Sequence, residues 1–191
     1  MGCSRQLISL IAQISKLDMA MRGIATHAGS QMATLKDDIC QHLQSLQQVP
    51  PSYAGDARHL IQIAEAKRLA ALLHLEERVP VSSSHSMNKA QVIGLIDSIV
   101  DVLRSIPTTS AATLWPLFIV GSSTMATSDQ RIFVLNRLKQ LEDSRKLGSI
   151  HHARRLIERK MSTSSTFWPL SGQSQIELHL PTENEKWISL A

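Results

Sequence analysis

Apolar residues recur at helical spacing along this chain from its first turn to about position 160. In residues 5–21, Leu7, Leu10, Ile14, Leu17 and Met21 fall on one face. In residues 30–49, Met32, Leu35, Ile39, Leu43 and Leu46 form a second stripe. Pro50-Pro51 stops it, because proline has no N–H to donate and restricts the residue before it. Asp56 is a capping residue for a third helix, to about position 79. Ile61, Ala64, Leu72, Leu75 and Val79 share a face there, and Leu69 and Leu73 widen it. Alanines at 64, 66, 70 and 71 favour helix and let a neighbour come close. Asn88 with Gln91 three residues on is a helix-start pair. Val92, Ile96, Ile99, Leu103 and Ile106 follow in the clearest periodicity of the chain, and Pro107 ends it.

Residues 114–160 predict three more helices separated by two breaks. Thr113 is placed to cap the first, which puts Pro116 in the first turn, where a backbone N–H has no intrahelical partner. Gly121 falls mid-helix at a cost of up to about 1 kcal/mol relative to Ala, which predicts a close helix–helix contact. Thr127 and Gln130 form a capping box, followed by Val134, Leu138 and Leu141 on one face. Leu147-Gly148 predicts a stop, with Gly148 left-handed and Lys146 suiting the helix dipole. Ser149 can cap the last helix, whose inner face is Ile150, Ala153 and Ile157. The pattern predicts an all-α fold, a multi-helix array of about seven helices over residues 1–161. Residues 162–191 read as a polar linker and an irregular C-terminal tail, with a short alternating IELHL run at 176–180.

Composition sharpens this only a little. At 191 residues one domain is expected, and with 43% hydrophobic but only 4% aromatic residues its core must be aliphatic. The net charge of +4 is spread without a block of one sign, weak support for a nucleic-acid partner. Cys3 and Cys40 are too few for a disulfide framework and fit a reducing compartment. No apolar run approaches the roughly 20 residues of a membrane span, and no secretory pattern opens the chain.

Candidate chemistry is sparse. Gly2 and Cys3 suggest double acylation and hence a peripheral membrane adaptor, but Gln6 stands where the myristoylation pattern wants Ser or Thr. His151-His152 point to different sides of a helix, and His74 with Glu77 reads as a surface pair rather than a metal site. Gly121-Ser122-Ser123 lacks the second glycine and the preceding strand of a nucleophile elbow. No glycine-rich phosphate loop is present. Asp37-Asp38 and Glu76-Glu77 are adjacent pairs, which do not face each other on a helix and read as solvated. Arg155 and Arg159 share a face with no interleaved aromatics for base stacking, so they too read as solvated. No catalytic, cofactor-binding or metal-binding residue is assigned, and the chain does not read as an enzyme.

One resemblance goes further than these residues. LWPLFIVGSST at 114–124, Arg131, VLNRLKQLEDSRKLG at 134–148 and ARRLIE at 153–158 resemble the C-terminal part of the fungal-specific transcription factor domain. Residues 2–15 and 66–79 extend the similarity more weakly, and Trp187 is a candidate for a tryptophan near that family's C-terminus. In the family this region lies downstream of a zinc binuclear cluster. That cluster needs six closely spaced cysteines, which this chain lacks, so its DNA reading does not carry over. The resemblance implies a regulatory, protein-interaction domain that controls transcription in the nucleus. Its partners would be the transcription machinery or a second copy, with no sequence-specific DNA contact and no membrane. The first residues resemble a segment internal to the family's domain. That predicts an N-terminally incomplete domain, with the stripe of residues 5–21 and the Met32–Leu46 face partly uncovered.

Overall fold

The computed structural model describes residues 4–23, 29–47, 57–80 and 83–165. Seven α-helices and no strand occur among the described residues. They are α1 (Arg5–Gly23), α2 (Gly29–Ser45), α3 (Ala57–Arg78), α4 (Lys89–Ser105), α5 (Leu114–Ser122), α6 (Ser128–Arg145) and α7 (Gly148–Ser165). A 3-10 turn, Ala111–Thr113, leads into α5. The expected all-α array is therefore what forms. The expectations at Gly2 and Cys3, Pro50-Pro51, Asp56, 176–180 and Trp187 lie outside the described residues.

Two capping boxes fix where helices begin. The Gln91 N–H donates to Asn88 Oδ1 at 2.9 Å and the Asn88 N–H to Gln91 Oε1 at 2.8 Å. The Thr127–Gln130 pair repeats the arrangement at the start of α6, at 3.3 and 2.8 Å. Both follow from a side chain at each end satisfying an otherwise orphaned N–H.

Two apolar cores flank α3. The larger joins α3 to α4, α5, α6 and α7 through residues such as Ile96, Ile99, Leu103, Leu117, Val134, Leu138 and Ile157. The smaller packs Leu7, Leu10, Ile14 and Leu17 of α1 and Ile39, Cys40 and Leu43 of α2 on the other side of α3. Ala66, Ala70 and Leu73 face the larger core, while Ala71, Leu72 and Leu75 face the smaller. A helix with apolar residues on two sides is placed between two cores. The small alanines let neighbours approach α3 from both sides.

Gly121 carries the close contact its position predicts. A Cβ built there would lie 2.6 Å from Ile157 Cδ1 and 3.0 Å from Val134 Cγ1, so α5, α6 and α7 meet at this residue. Pro116 is the third residue of α5, in the first turn as expected.

Other expectations shift. On α2 it is Lys36 that is buried, at 2% exposure, whereas Leu35 is 43% exposed. Ile61 is likewise exposed, one side of α3 being open at its N-terminal end. Thr113 does not cap α5; its hydroxyl donates to the Ser110 carbonyl at 2.7 Å, closing the 3-10 turn instead. The left-handed residue after α6 is Lys146 (φ 50°, ψ 35°), whose N–H donates to the Glu142 carbonyl at 2.9 Å. Gly148 opens α7, so Ser149 is inside that helix rather than its cap. The stripe on α1 is not left uncovered: Leu7, Leu10, Ile14 and Leu17 are buried within this chain, and Ile8 and Met19 point outward instead. The helix α7 also continues past position 161 to Ser165.

Candidate functional site

The densest polar cluster gathers at the C-terminal end of α3, and it begins from two adjacent glutamates. Neighbours on a helix point in different directions. Glu76 turns toward α2 and Glu77 toward the turn between α5 and α6. Lys36 Nζ lies 3.0 Å from Glu76 Oε2, donates to the Val79 carbonyl at 3.1 Å and reaches Ser86 Oγ at 3.3 Å. The Val79 carbonyl sits just past α3, so an ammonium there also complements the negative end of the helix dipole. The Met87 N–H donates to Glu76 Oε1 at 3.1 Å, tying in the segment that leads to α4. On the other side, Glu77 Oε1 accepts the Ser123 hydroxyl at 2.6 Å and the Thr124 N–H at 3.2 Å. Arg131 then donates to the Ser123 carbonyl at 3.0 Å. One turn of α3 thus holds both halves of the protein. Neither glutamate is simply solvated, and nor is Asp37, which accepts from Ser84 and His85. Asp38 is exposed.

The buried side chains nearby are chemically quiet. Burial foremost, with Glu76 adding to it, pushes the Cys40 thiol up and keeps it protonated. His74 is buried, not at the surface, and meets the Trp115 ring edge-on with centroids 6.3 Å apart. Trp115 packs against both cores, so this contact bridges them as well.

Arg137 is the second buried cation. It donates to the Leu103 and Ile106 carbonyls at 3.0 and 2.7 Å, closing the C-terminal end of α4. Burial pushes its guanidinium pKa down. Residues His151 and Arg154 converge on Glu142 across the α6–α7 turn, at 2.6 and 2.8 Å. The Arg154 bond is the main cause, and His151 the next, that holds the Glu142 carboxyl below its usual range. Arg155 and Arg159 lie exposed on α7, as their spacing indicates. Among the described residues, no three His, Cys, Asp or Glu side chains are placed to hold a metal ion. The structure brings together cations, carboxylates and helix ends, an arrangement that fastens elements; at its exposed edge the Ser84 hydroxyl also lies 3.1 Å from His85 Nδ1.

Sequence reasoning missed Lys36, Glu76, Glu77 and Arg137. A signal existed for both cations. Lys36 falls four residues after Met32 and three before Ile39, and Arg137 three after Val134, all on inner faces.

Residues 1–159 match the fungal specific transcription factor domain. The chain belongs to that family. The match takes in α1 to α6 and most of α7, so the two cores and the α3 node between them lie within the matched residues. No curated protein and no solved structure matches the chain. Membership of the fungal specific transcription factor domain family gives the chain a role in transcription regulation, in a regulatory domain not typically enzymatic. No helix among the described residues is long and apolar enough to cross a membrane.

Proposed function

We propose that this chain is a regulatory domain that controls transcription through protein partners and does not itself read DNA sequence. The family match over residues 1–159 is the observation that carries this reading. The partners are the transcription machinery or a second copy of the chain, and the place of action is the nucleus. The functional unit is the helical domain of residues 1–161, extended to Ser165 by the end of α7, with the remaining residues to 191 as a linker and tail.

Physical reasoning supports the second half of the claim. DNA binding of useful strength rests on many phosphate contacts from clustered cations. The cations best held here are already committed: Lys36 to Glu76, Arg68 to Glu65, Arg154 to Glu142 and Glu158, and Arg137 to carbonyls. Arg155 and Arg159 are exposed on one face of α7, and the other exposed cations of the described residues, such as Arg5, Lys16, Lys89 and Lys139, are scattered over different helices.

Selection from a random duplex DNA pool at 150 mM salt, on the order of physiological ionic strength, tests the reading. The purified chain should enrich no sequence, and any binding should fade as salt rises. Enrichment of a defined motif would overturn it.

A further inference from the structure

We propose that Ser84 is a phosphorylation site whose modification unlatches α2 from the segment that joins α3 to α4. Ser84 and His85 form an exposed turn in that segment. The Ser84 hydroxyl donates to Asp37 Oδ2 at 2.6 Å, and the Ser84 N–H reaches the same oxygen at 3.1 Å. The His85 N–H donates to Asp37 Oδ1 at 3.1 Å, with the His85 ring nitrogen 3.3 Å from it. A single α2 carboxylate is therefore wrapped by the turn. These donors, the Ser84 hydroxyl first, hold the Asp37 carboxyl well below the usual carboxylate range.

Accessibility separates Ser84 from Ser123, which also donates to a carboxylate. The Ser123 hydroxyl donates to Glu77 at 2.6 Å, but Ser123 is fully buried, so a kinase cannot reach it. Ser84 is open to solvent while sitting on a contact between elements.

The chemistry is a phosphoryl transfer from ATP. A bond forms between Ser84 Oγ and the γ-phosphorus, and the bond from that phosphorus to the β,γ-bridging oxygen breaks. The hydroxyl proton passes to the kinase's base, and ADP departs. The esterified Oγ can no longer donate to Asp37, which removes the shorter of the two Ser84 bonds. The phosphate also brings about −1.5 to −2 of charge against a carboxylate, which disrupts the contact by repulsion. Lys36, which reaches Ser86 in the same segment, is already engaged by Glu76 and the Val79 carbonyl. With the latch open, α1 and α2 are held on α3 by the smaller core, the Lys36–Glu76 pair and the Arg68 bond to the Leu43 carbonyl, while the α3–α7 core keeps its own packing.

The test installs phosphoserine at position 84 of the full chain during translation and follows hydrogen exchange, with Ser84→Ala as control. Amides of α1 and α2 should exchange at least about tenfold faster than in the control, with α4 and α6 unchanged. Asp37→Asn should abolish that excess. Equal exchange in the two chains, an excess that survives Asp37→Asn, or added protection from capture of the phosphate by Lys36 or His85 would each overturn the proposal. A second arm incubates the chain with γ-labelled ATP and fungal nuclear extract. Label should enter the native chain and be lost in Ser84→Ala; no label, or label unaffected by the substitution, also overturns it.

Discussion

Substituting Gly121 by alanine sets two known effects against each other at one atom. Alanine in a helix interior gains about 1 kcal/mol over glycine. The added methyl meets Ile157 Cδ1 at 2.6 Å and Val134 Cγ1 at 3.0 Å. Both neighbours are fully buried, so neither can swing into solvent. Overpacking of this kind costs about 1–3 kcal/mol. The net expectation is a destabilisation of about 1 kcal/mol, or about 2–4 °C in Tm for a chain of this size. Ile157→Val deletes the Cδ1 atom that the new methyl strikes. Alone it should cost about 0.5–1.5 kcal/mol. In the double variant the methyl added at 121 fills the space vacated at 157. Gly121→Ala should then be neutral or stabilising when made together with Ile157→Val, a coupling of at least about 1 kcal/mol. Urea melts of the four chains measure this directly. A higher Tm for Gly121→Ala alone, or additive effects across the cycle, would refute the close-contact argument.

Three further outcomes follow. Lys36→Met should destabilise by about 3–5 kcal/mol because it strands Glu76, and Lys36→Met with Glu76→Gln should cost less than the sum of the two single changes; equal, additive costs in denaturant melts would show the pair to be incidental. Gly148→Ala and Lys146→Gly should each stabilise by about 0.5–1 kcal/mol, since Gly148 opens a helix with open space at its Cβ and Lys146 bears the left-handed strain; a fall in Tm for Gly148→Ala would return the special conformation to the glycine. The carboxyls of Asp37 and Glu142 are held low in the folded chain, so the stability they add is present above the unfolded values of about 3.9 and 4.3 and is lost as pH falls further; Asp37→Asn with Glu142→Gln should flatten the decline of Tm from pH 5 to 2, and an unchanged slope would count against both contacts.

Helices were legible in this sequence wherever apolar residues kept one register. Val92 to Ile106 and Val134 to Leu141 fall on buried faces as their spacing indicates, and the boxes at Asn88 and Thr127 form as written. Reading failed where a polar residue occupies the inner face. Periodicity assigns Leu35 to the core because it weighs hydrophobicity and cannot see Glu76, forty residues on, waiting for an ammonium. The same blindness made Glu76-Glu77 look solvated: adjacency on a helix excludes mutual contact and says nothing of partners on two other elements. The α6–α7 turn failed for a local reason. Glycine is the usual left-handed residue, but here the chain turns two residues earlier, at Lys146. The family itself was legible from residues 114–158, because Trp115, Pro116 and Gly121 meet constraints of helix entry and close packing that few other residues satisfy.

The central claim is that this chain acts on transcription through proteins and takes its DNA address from elsewhere. The measurement closest to it joins the chain to a DNA-reading module of known operator and reads a reporter in fungal nuclei. Reporter output should change relative to the module alone, and the change should follow the operator when the module is exchanged. The overpacked Gly121→Leu chain should abolish it. Output identical to that of the module alone, or an effect that persists after the module's operator is deleted, would contradict the account.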